Sequence, residues 1–151
     1  MYRKYKDRVA FYIVYIQEAH ASDFWQMPDN IRQGVIFRNP TTLLARETVA
    51  GSCVRKLHIA IPALLDGMDN RVEAEYNGWP DRLYVIDTQG RIVFRSKPGP
   101  FGFHPRDMQP LLDSVAPAKL SLGVRPVVLG HQVGKRELGV ALGGGQARVA
   151  E

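Results

Sequence analysis

Glu18 and His20 follow an apolar run at residues 9–16, and their types and spacing suit acid–base chemistry. In an extended chain, residues i and i+2 point the same way, so the carboxylate would lie beside the imidazole. A carboxylate there orients the imidazole, fixes its tautomer and raises its basicity. Such a pair can protonate a phenolate or a ring carbon, or hold a substrate hydroxyl. Spacing alone favours the simpler alternative, in which Glu18 caps a turn and His20 is a surface histidine.

Cys53 is the only cysteine of the 151 residues. It falls on the apolar face of a predicted helix, away from any Cys-x-x-Cys motif, which favours a buried, unreactive thiol over a nucleophile. A single cysteine forms no internal disulfide, so nothing indicates an oxidising compartment. The four histidines show no metal-ligand spacing and no glycine-rich phosphate loop is present. We therefore predict neither a metal nor a bound cofactor.

The charge pattern and apolar runs exclude two classes of partner. The formal net charge is +5, but no basic stripe with interleaved aromatic residues occurs, so nucleic-acid binding is not predicted. The longest apolar run, residues 9–16, is far shorter than the roughly 20 residues of a membrane helix, and no signal-type apolar region is present. We expect a soluble, cytoplasmic protein with no membrane partner.

Alternating elements must position these residues. The run at 9–16 is apolar on both faces and rich in β-branched and aromatic residues, which predicts a buried strand. A long loop at 18–38 and a helix from Pro40 to about Leu57, capped by Asn39, come next. The remaining predictions are a strand at 59–65, a helix at 69–76, strands at 82–87 and 91–95 joined by a hairpin, and a helix at 105–115.

This order predicts one α/β domain over residues 1–115, with a mostly parallel sheet and an antiparallel edge. Beyond residue 115 glycines and prolines interrupt every short apolar segment. We interpret residues 116–151 as a poorly ordered, basic tail and predict no element there.

Three blocks of this sequence resemble the iodothyronine deiodinase family, most closely its bacterial, soluble members. The first runs from the strand at 9–16 through Glu18-Ala-His20 to Ser22-Asp-Phe-Trp25. The second and third are Pro80-Asp-Arg-Leu-Tyr-Val-Ile86, preceded by Asp66-Gly-Met-Asp-Asn70, and Gly99-Pro-Phe-Gly-Phe103. The blocks occur in family order and cover about residues 4–113. The family has glycine at the position of Phe24, so this chain carries a bulky side chain in that loop.

The resemblance implies a thioredoxin-like mixed sheet with flanking helices. It also implies a selenocysteine or cysteine nucleophile after the central strand, an iodinated phenol as substrate and an external thiol reductant. No counterpart of that nucleophile segment occurs in this sequence. We therefore expect a truncated domain that lacks the first, central strand and the nucleophile helix and is inactive as it stands. The strands at 9–16 and 82–87 would then have unpaired edges.

With the resemblance, Glu18 and His20 are the predicted catalytic residues. Ser22, Asp23 and Trp25 continue the same block and are candidates for substrate binding. Alternatively, Ser22 and Asp23 cap a turn or short helix, and Trp25 covers the core instead of stacking on an aromatic ring.

Two residues near the third predicted strand complete the candidate site. Pro80 matches the position at which thioredoxin-like proteins often carry a cis-proline beside the nucleophile, and Pro62 is a lesser candidate. Arg82 is a candidate to pair with a carboxylate, either of the substrate or of Glu18, although a solvated arginine explains it equally well.

The resulting prediction is a deiodinase-like oxidoreductase that removes iodine reductively from an iodinated phenol such as thyroxine. Its partners would be that small aromatic substrate and a thiol reductant, and a homodimer is left open. Two alternatives stay open. One is a non-catalytic thioredoxin-like remnant or binding module, and the other is a general thiol–disulfide redoxin.

Overall fold

A five-stranded mixed sheet forms the centre of the computed structural model, which describes residues 1–115 and 127–130. The strands are β1 Ala10–Tyr15, β2 Ala63–Leu65, β3 Leu83–Ile86, β4 Ile92–Arg95 and β5 Val127–Gly130. Their order across the sheet is β2-β1-β5-β3-β4. β1 is parallel to β2 and β5, whereas β3 is antiparallel to β4 and β5. The sheet and its flanking helices are consistent with the predicted thioredoxin-like fold.

The helices depart from the sequence prediction mainly at their ends. They are α1 Tyr2–Tyr5, α2 Pro28–Arg32, α3 Leu43–Lys56, α4 Arg71–Tyr76 and α5 Gln109–Val115, the last preceded by a 3₁₀ turn at Pro105–Met108. The cap of α3 is Thr42, whose hydroxyl accepts a hydrogen bond from Ala45 N at 3.2 Å, so Asn39 is not the cap. The short helices α1 and α2 were not predicted. Within the described residues, no helix combines the length and apolar character needed to cross a bilayer.

β5 occupies the central position at which the sequence predicts two unpaired strand edges. Ala10–Ile13 of β1 pair with it on one side and Leu83–Ile86 of β3 on the other. Val128 is fully buried and belongs to the main core. That expectation is therefore corrected. Buried N–H and C=O groups without partners are costly, and β5 supplies partners to both strands.

The position of β5 also bears on the predicted tail. Val127–Gly130 lie within residues 116–151, where the sequence predicts no element. The rest of that segment lies outside the described residues, so the domain boundary at residue 115 stays a prediction.

The ends of four strands bring the candidate residues to one side of the sheet, which we call the carboxyl edge. β1, β2 and β5 are parallel and end there. β3 is antiparallel to β5 and therefore begins there, and β4 ends there. Glu18 follows β1 and Arg82 directly precedes β3, so both lie at this edge, where open α/β sheets commonly bind ligands.

Candidate functional site

Glu18 is a buried carboxyl group at the carboxyl edge, with 6% of its surface exposed. Tyr15, the last residue of β1, donates a hydrogen bond from Oη to Glu18 Oε1. Desolvation by burial raises the pKa of Glu18 to about 7. A carboxyl group that titrates near neutral pH can both give and take a proton, as a general acid or base must.

Tyr15 is the residue of this site that the sequence analysis missed. It stands in a strand of apolar residues and packs with Val35, Ala50 and Cys53 in a small core cluster, so its pattern is that of a core residue. The sequence offers one signal for this role. Tyr15 lies three residues before Glu18, at the end of a strand.

His20 has partners other than Glu18. Its Nδ1 lies 3.3 Å from Trp25 O, and its ring meets the Trp25 ring edge-on with centroids 4.6 Å apart. A carbonyl only accepts hydrogen bonds, so Nδ1 carries the hydrogen in this contact and Nε2 of the neutral ring is the acceptor. Within the described residues, therefore, Trp25 fixes the tautomer of His20, and the predicted orientation by Glu18 is not found.

Ser22 and Asp23 hold the loop after β1 closed. Ser22 N donates to Phe37 O at 2.7 Å, and Asp23 Oδ1 accepts from Asn39 N at 3.0 Å. The hydrogen bond from Asn39 N is the main cause that lowers the pKa of Asp23, and Arg38 adds to it. These contacts join distant parts of the loop and are not a local turn cap, because Asn39 lies 16 residues from Asp23.

Trp25 and Phe24 are exposed on that loop, by 63% and 71%. Trp25 therefore does not cover the core, and a face of its ring is open to an aromatic ligand.

Pro80 follows a cis peptide bond from Trp79, as predicted, whereas the Pro62 bond is not cis. A second cis bond, Gly99–Pro100, was not foreseen. Gly99 N donates to Asp81 O at 3.0 Å, and a Cβ at Gly99 would lie 1.6 Å from Asp81 Oδ1. Only glycine allows this approach, so the loop after β4 packs tightly against the segment that enters β3.

Arg82 is buried beside that segment, with 8% of its surface exposed. The alternative of a solvated arginine is therefore wrong. Among the described residues Arg82 forms no ion pair with Glu18, and its buried Nε has no hydrogen-bond partner.

A network of hydrogen bonds lies at the carboxyl edge, in the segment that follows β2. Asp66 is 1% exposed and accepts from Glu73 N at 2.9 Å, close to the start of α4. Arg46 of α3 donates to Asn70 Oδ1 at 2.8 Å, and Gln17 Nε2 donates to Glu73 Oε1 at 2.8 Å. The network ties α3 and α4 to the residue that precedes Glu18.

Cys53 is buried, with 3% exposure, as predicted. Burial raises the pKa of its thiol to about 12, and the negative charge of Glu18 adds to the shift. The thiol therefore stays protonated and unreactive at neutral pH. The part of the chain that the structure describes contains no group of three or more His, Cys, Asp or Glu residues that could hold a metal ion.

Comparisons with known proteins identify relatives of this chain. Residues 1–116 match the family model described as iodothyronine deiodinase. The chain is 32% identical over 103 residues to type I iodothyronine deiodinase of Xenopus laevis, covering 68% of this chain and 38% of the relative. The chain is 37% identical over 109 residues to type II iodothyronine deiodinase of Petromyzon marinus, covering 70% of this chain and 35% of the relative. It is 33% identical over 113 residues to thyroxine 5-deiodinase of Homo sapiens, covering 73% of this chain and 34% of the relative. The matched segment thus spans less than two fifths of each of these relatives.

Proposed function

Because the chain belongs to the iodothyronine deiodinase family, we propose that its domain serves the reductive deiodination of an iodinated phenol. The reaction replaces a carbon–iodine bond by a carbon–hydrogen bond. Two external thiols supply two electrons and become a disulfide, the ring carbon takes up a proton, and iodide and a proton leave. The names of the relatives point to iodothyronines, including thyroxine, as the class of substrate.

The buried carboxyl of Glu18 carries the proposal. Its pKa of about 7 and its hydrogen bond from Tyr15 suit a group that delivers a proton to a ring carbon. His20 is exposed enough to hold a phenol oxygen through Nε2, while the open ring of Trp25 lies beside it. Ser22 and Asp23 act in this proposal by fixing the loop that presents both residues.

The reaction also needs a nucleophilic thiol or selenol, and Cys53 is unsuited because its pKa is about 12. In this proposal the nucleophile comes from a segment of the native protein outside these 151 residues, as the resemblance implies. We also propose that the chain belongs to the bacterial branch of the family and that it is cytoplasmic. A thiol is its proposed reductant. The intact mass of the protein isolated from its source tests the origin of the nucleophile, since a further segment would raise the mass above 16.9 kDa.

The test of function is iodide release by the native protein from an iodothyronine in the presence of a dithiol. We expect Glu18→Gln to slow release by about 10²- to 10⁴-fold, the usual contribution of general acid–base catalysis. Glu47→Gln, an exposed position on α3, is the matched control and should leave the rate unchanged. Unaltered release by the Glu18 variant would exclude the role of this residue, and no release from any iodinated phenol would exclude the function.

One observation favours a second candidate, a binding module without catalysis. The only cysteine of the chain is buried and protonated, so these residues hold no reactive thiol. An iodinated phenol that binds the native protein and is released unchanged would favour this candidate. The general thiol–disulfide redoxin has no such support, because it too requires a reactive thiol.

A further inference from the structure

Arg82 lies at the carboxyl edge, at the start of the strand next to the central strand β5. Leu83, Gly130 and Ile13 are in register across β3, β5 and β1, so they form one row of the sheet. Arg82 is one position nearer the carboxyl edge than this row. It also follows directly on the Trp79–Pro80 cis bond and Asp81. Arg82 therefore lies between the loop that carries Glu18 and the loops on the far side of the sheet.

Arg82 is a buried residue, and its Nε–H donor has no partner among the described residues. The residue is 8% exposed, and the side chain makes no hydrogen bond or ion pair with another described residue. Arg46, the other buried arginine among the described residues, is 3% exposed and donates to Asp66 O, Gly67 O and Asn70 Oδ1. A buried N–H donor without a partner is costly, and the described residues supply none to Arg82 Nε.

Among the described residues Arg82 has no acidic partner, and two loops at the same edge of the sheet carry exposed aromatic residues. Asp81, its neighbour in the chain, packs its carboxylate against Gly99. The hydrogen bond from Gly99 N to Asp81 O brings two loops together, and each carries an exposed aromatic residue. Trp79 is 43% exposed and Phe101 is 91% exposed. A ligand that matches this site has an aromatic ring and an anionic group that can take a planar pair of N–H donors.

We propose that Arg82 is an anion subsite that binds the oxyanion of an aromatic ligand, either a carboxylate or a phenolate. The inference deepens the proposed function and rests on it for the aromatic class of the ligand. Arg82 is a binding residue in this scheme, while Glu18 handles the proton on the other side of β5.

The test uses iodine-free probes, so that binding is measured without turnover. Phenylacetate supplies a carboxylate, 4-nitrophenolate supplies a phenolate, and phenylacetamide is the neutral analogue. Calorimetric titration of the full chain should show at least one anion binding about 10-fold or more tighter than the amide, as expected for a charge-assisted hydrogen bond. Whichever anion shows the preference identifies the group that Arg82 takes.

The variants separate charge from geometry. Arg82→Met should abolish the preference for the anion, and Arg82→Lys should retain only part of it, because lysine lacks the planar fork. Arg3→Met, at an exposed position, is the matched control and should keep the full preference. Denaturant unfolding of each variant checks that it is folded.

Two outcomes overturn the inference: a wild-type chain that binds neither anion better than the amide, and an Arg82→Met variant that is folded and keeps the preference. The two proposals fail separately. Iodide release without an Arg82-dependent preference would leave the function standing and remove the subsite. The preference without iodide release from the native protein would leave the subsite and remove the function.

Discussion

The two sides of the carboxyl edge contain buried ionisable groups that are accommodated in opposite ways. On the β1 side, Glu18 is 6% exposed and receives a hydrogen bond from Tyr15. On the β3 side, Arg82 is 8% exposed, and its Nε has no partner among the described residues. The carboxyl group can take up a proton and become neutral, and burial accordingly raises its pKa to about 7. The buried Nε–H of Arg82 is left without an acceptor, which a bound ligand could supply.

This difference distinguishes a proton-handling group from a binding group. A buried acid that titrates near neutrality can exchange a proton with a ligand. A buried cation with an unpartnered N–H donor is suited to hold a negatively charged ligand.

Glu18→Gln should give the largest change in stability. The pKa of Glu18 is higher in the folded chain than the ordinary value of 4.5, so the folded state holds the extra proton between pH 4.5 and about 7. The stability that this proton provides is complete below the lower value and is lost as pH rises through the upper one. Above that window the variant should be more stable than the wild type by about 3 kcal/mol.

Denaturant unfolding over this pH range measures the effect. Glu47→Gln should follow the wild-type profile, since this residue is exposed. Parallel profiles for the wild type and the Glu18 variant would show that Glu18 titrates normally and would remove the contrast between the two sides.

Arg82→Met should stabilise the ligand-free chain by about 2 kcal/mol at every pH, because it removes a buried N–H donor that has no partner among the described residues. Arg46→Met is the informative control and should destabilise the chain by about as much, because it leaves carbonyl acceptors of the loop after β2 unpaired. Chemical unfolding compares the two. A loss of stability in Arg82→Met would mean that the fold itself satisfies this guanidinium.

Tyr15→Phe should cost about 1 kcal/mol, the net value of a buried hydrogen bond, and more above pH 7 than below it. The hydroxyl donates to Glu18, and the bond strengthens when the carboxyl is ionised. A double-mutant cycle with Glu18→Gln measures this coupling. A coupling of zero would show that the hydroxyl stabilises the chain through another contact.

Cys53→Ala should give the smallest effect, within about 1 kcal/mol in unfolding free energy, and should leave iodide release unchanged. The native thiol should resist alkylation at neutral pH, since its pKa is about 12, and should react once the chain is unfolded. Rapid alkylation of the folded chain, together with loss of iodide release in the variant, would make Cys53 the nucleophile.

Much of the fold was predictable because the strands carry strong local patterns. The apolar run that forms β1 and the four buried residues of β3 are continuous, as strands covered on both faces must be. Helix ends were less predictable, because two side chains near the start of α3 compete as the cap and Thr42 is the one that bonds Ala45 N. β5 was missed because the valines that form it lie among glycines and prolines, and only the backbone groups of β1 and β3 select them.

The sequence by itself determined the α/β class, the three blocks of the deiodinase family, the cis-proline at Pro80 and the placement of Glu18 and His20 after the first strand. The class and the placement follow from local patterns, and the cis-proline follows from the family resemblance. Only the tertiary structure decided that Tyr15 bonds Glu18, that Trp25 fixes the tautomer of His20 and that Arg82 is buried. Burial and pairing depend on which distant segments pack together, and β5 at the centre of the sheet is the clearest case. Desolvation raises the pKa of a carboxyl group only once those segments are in place.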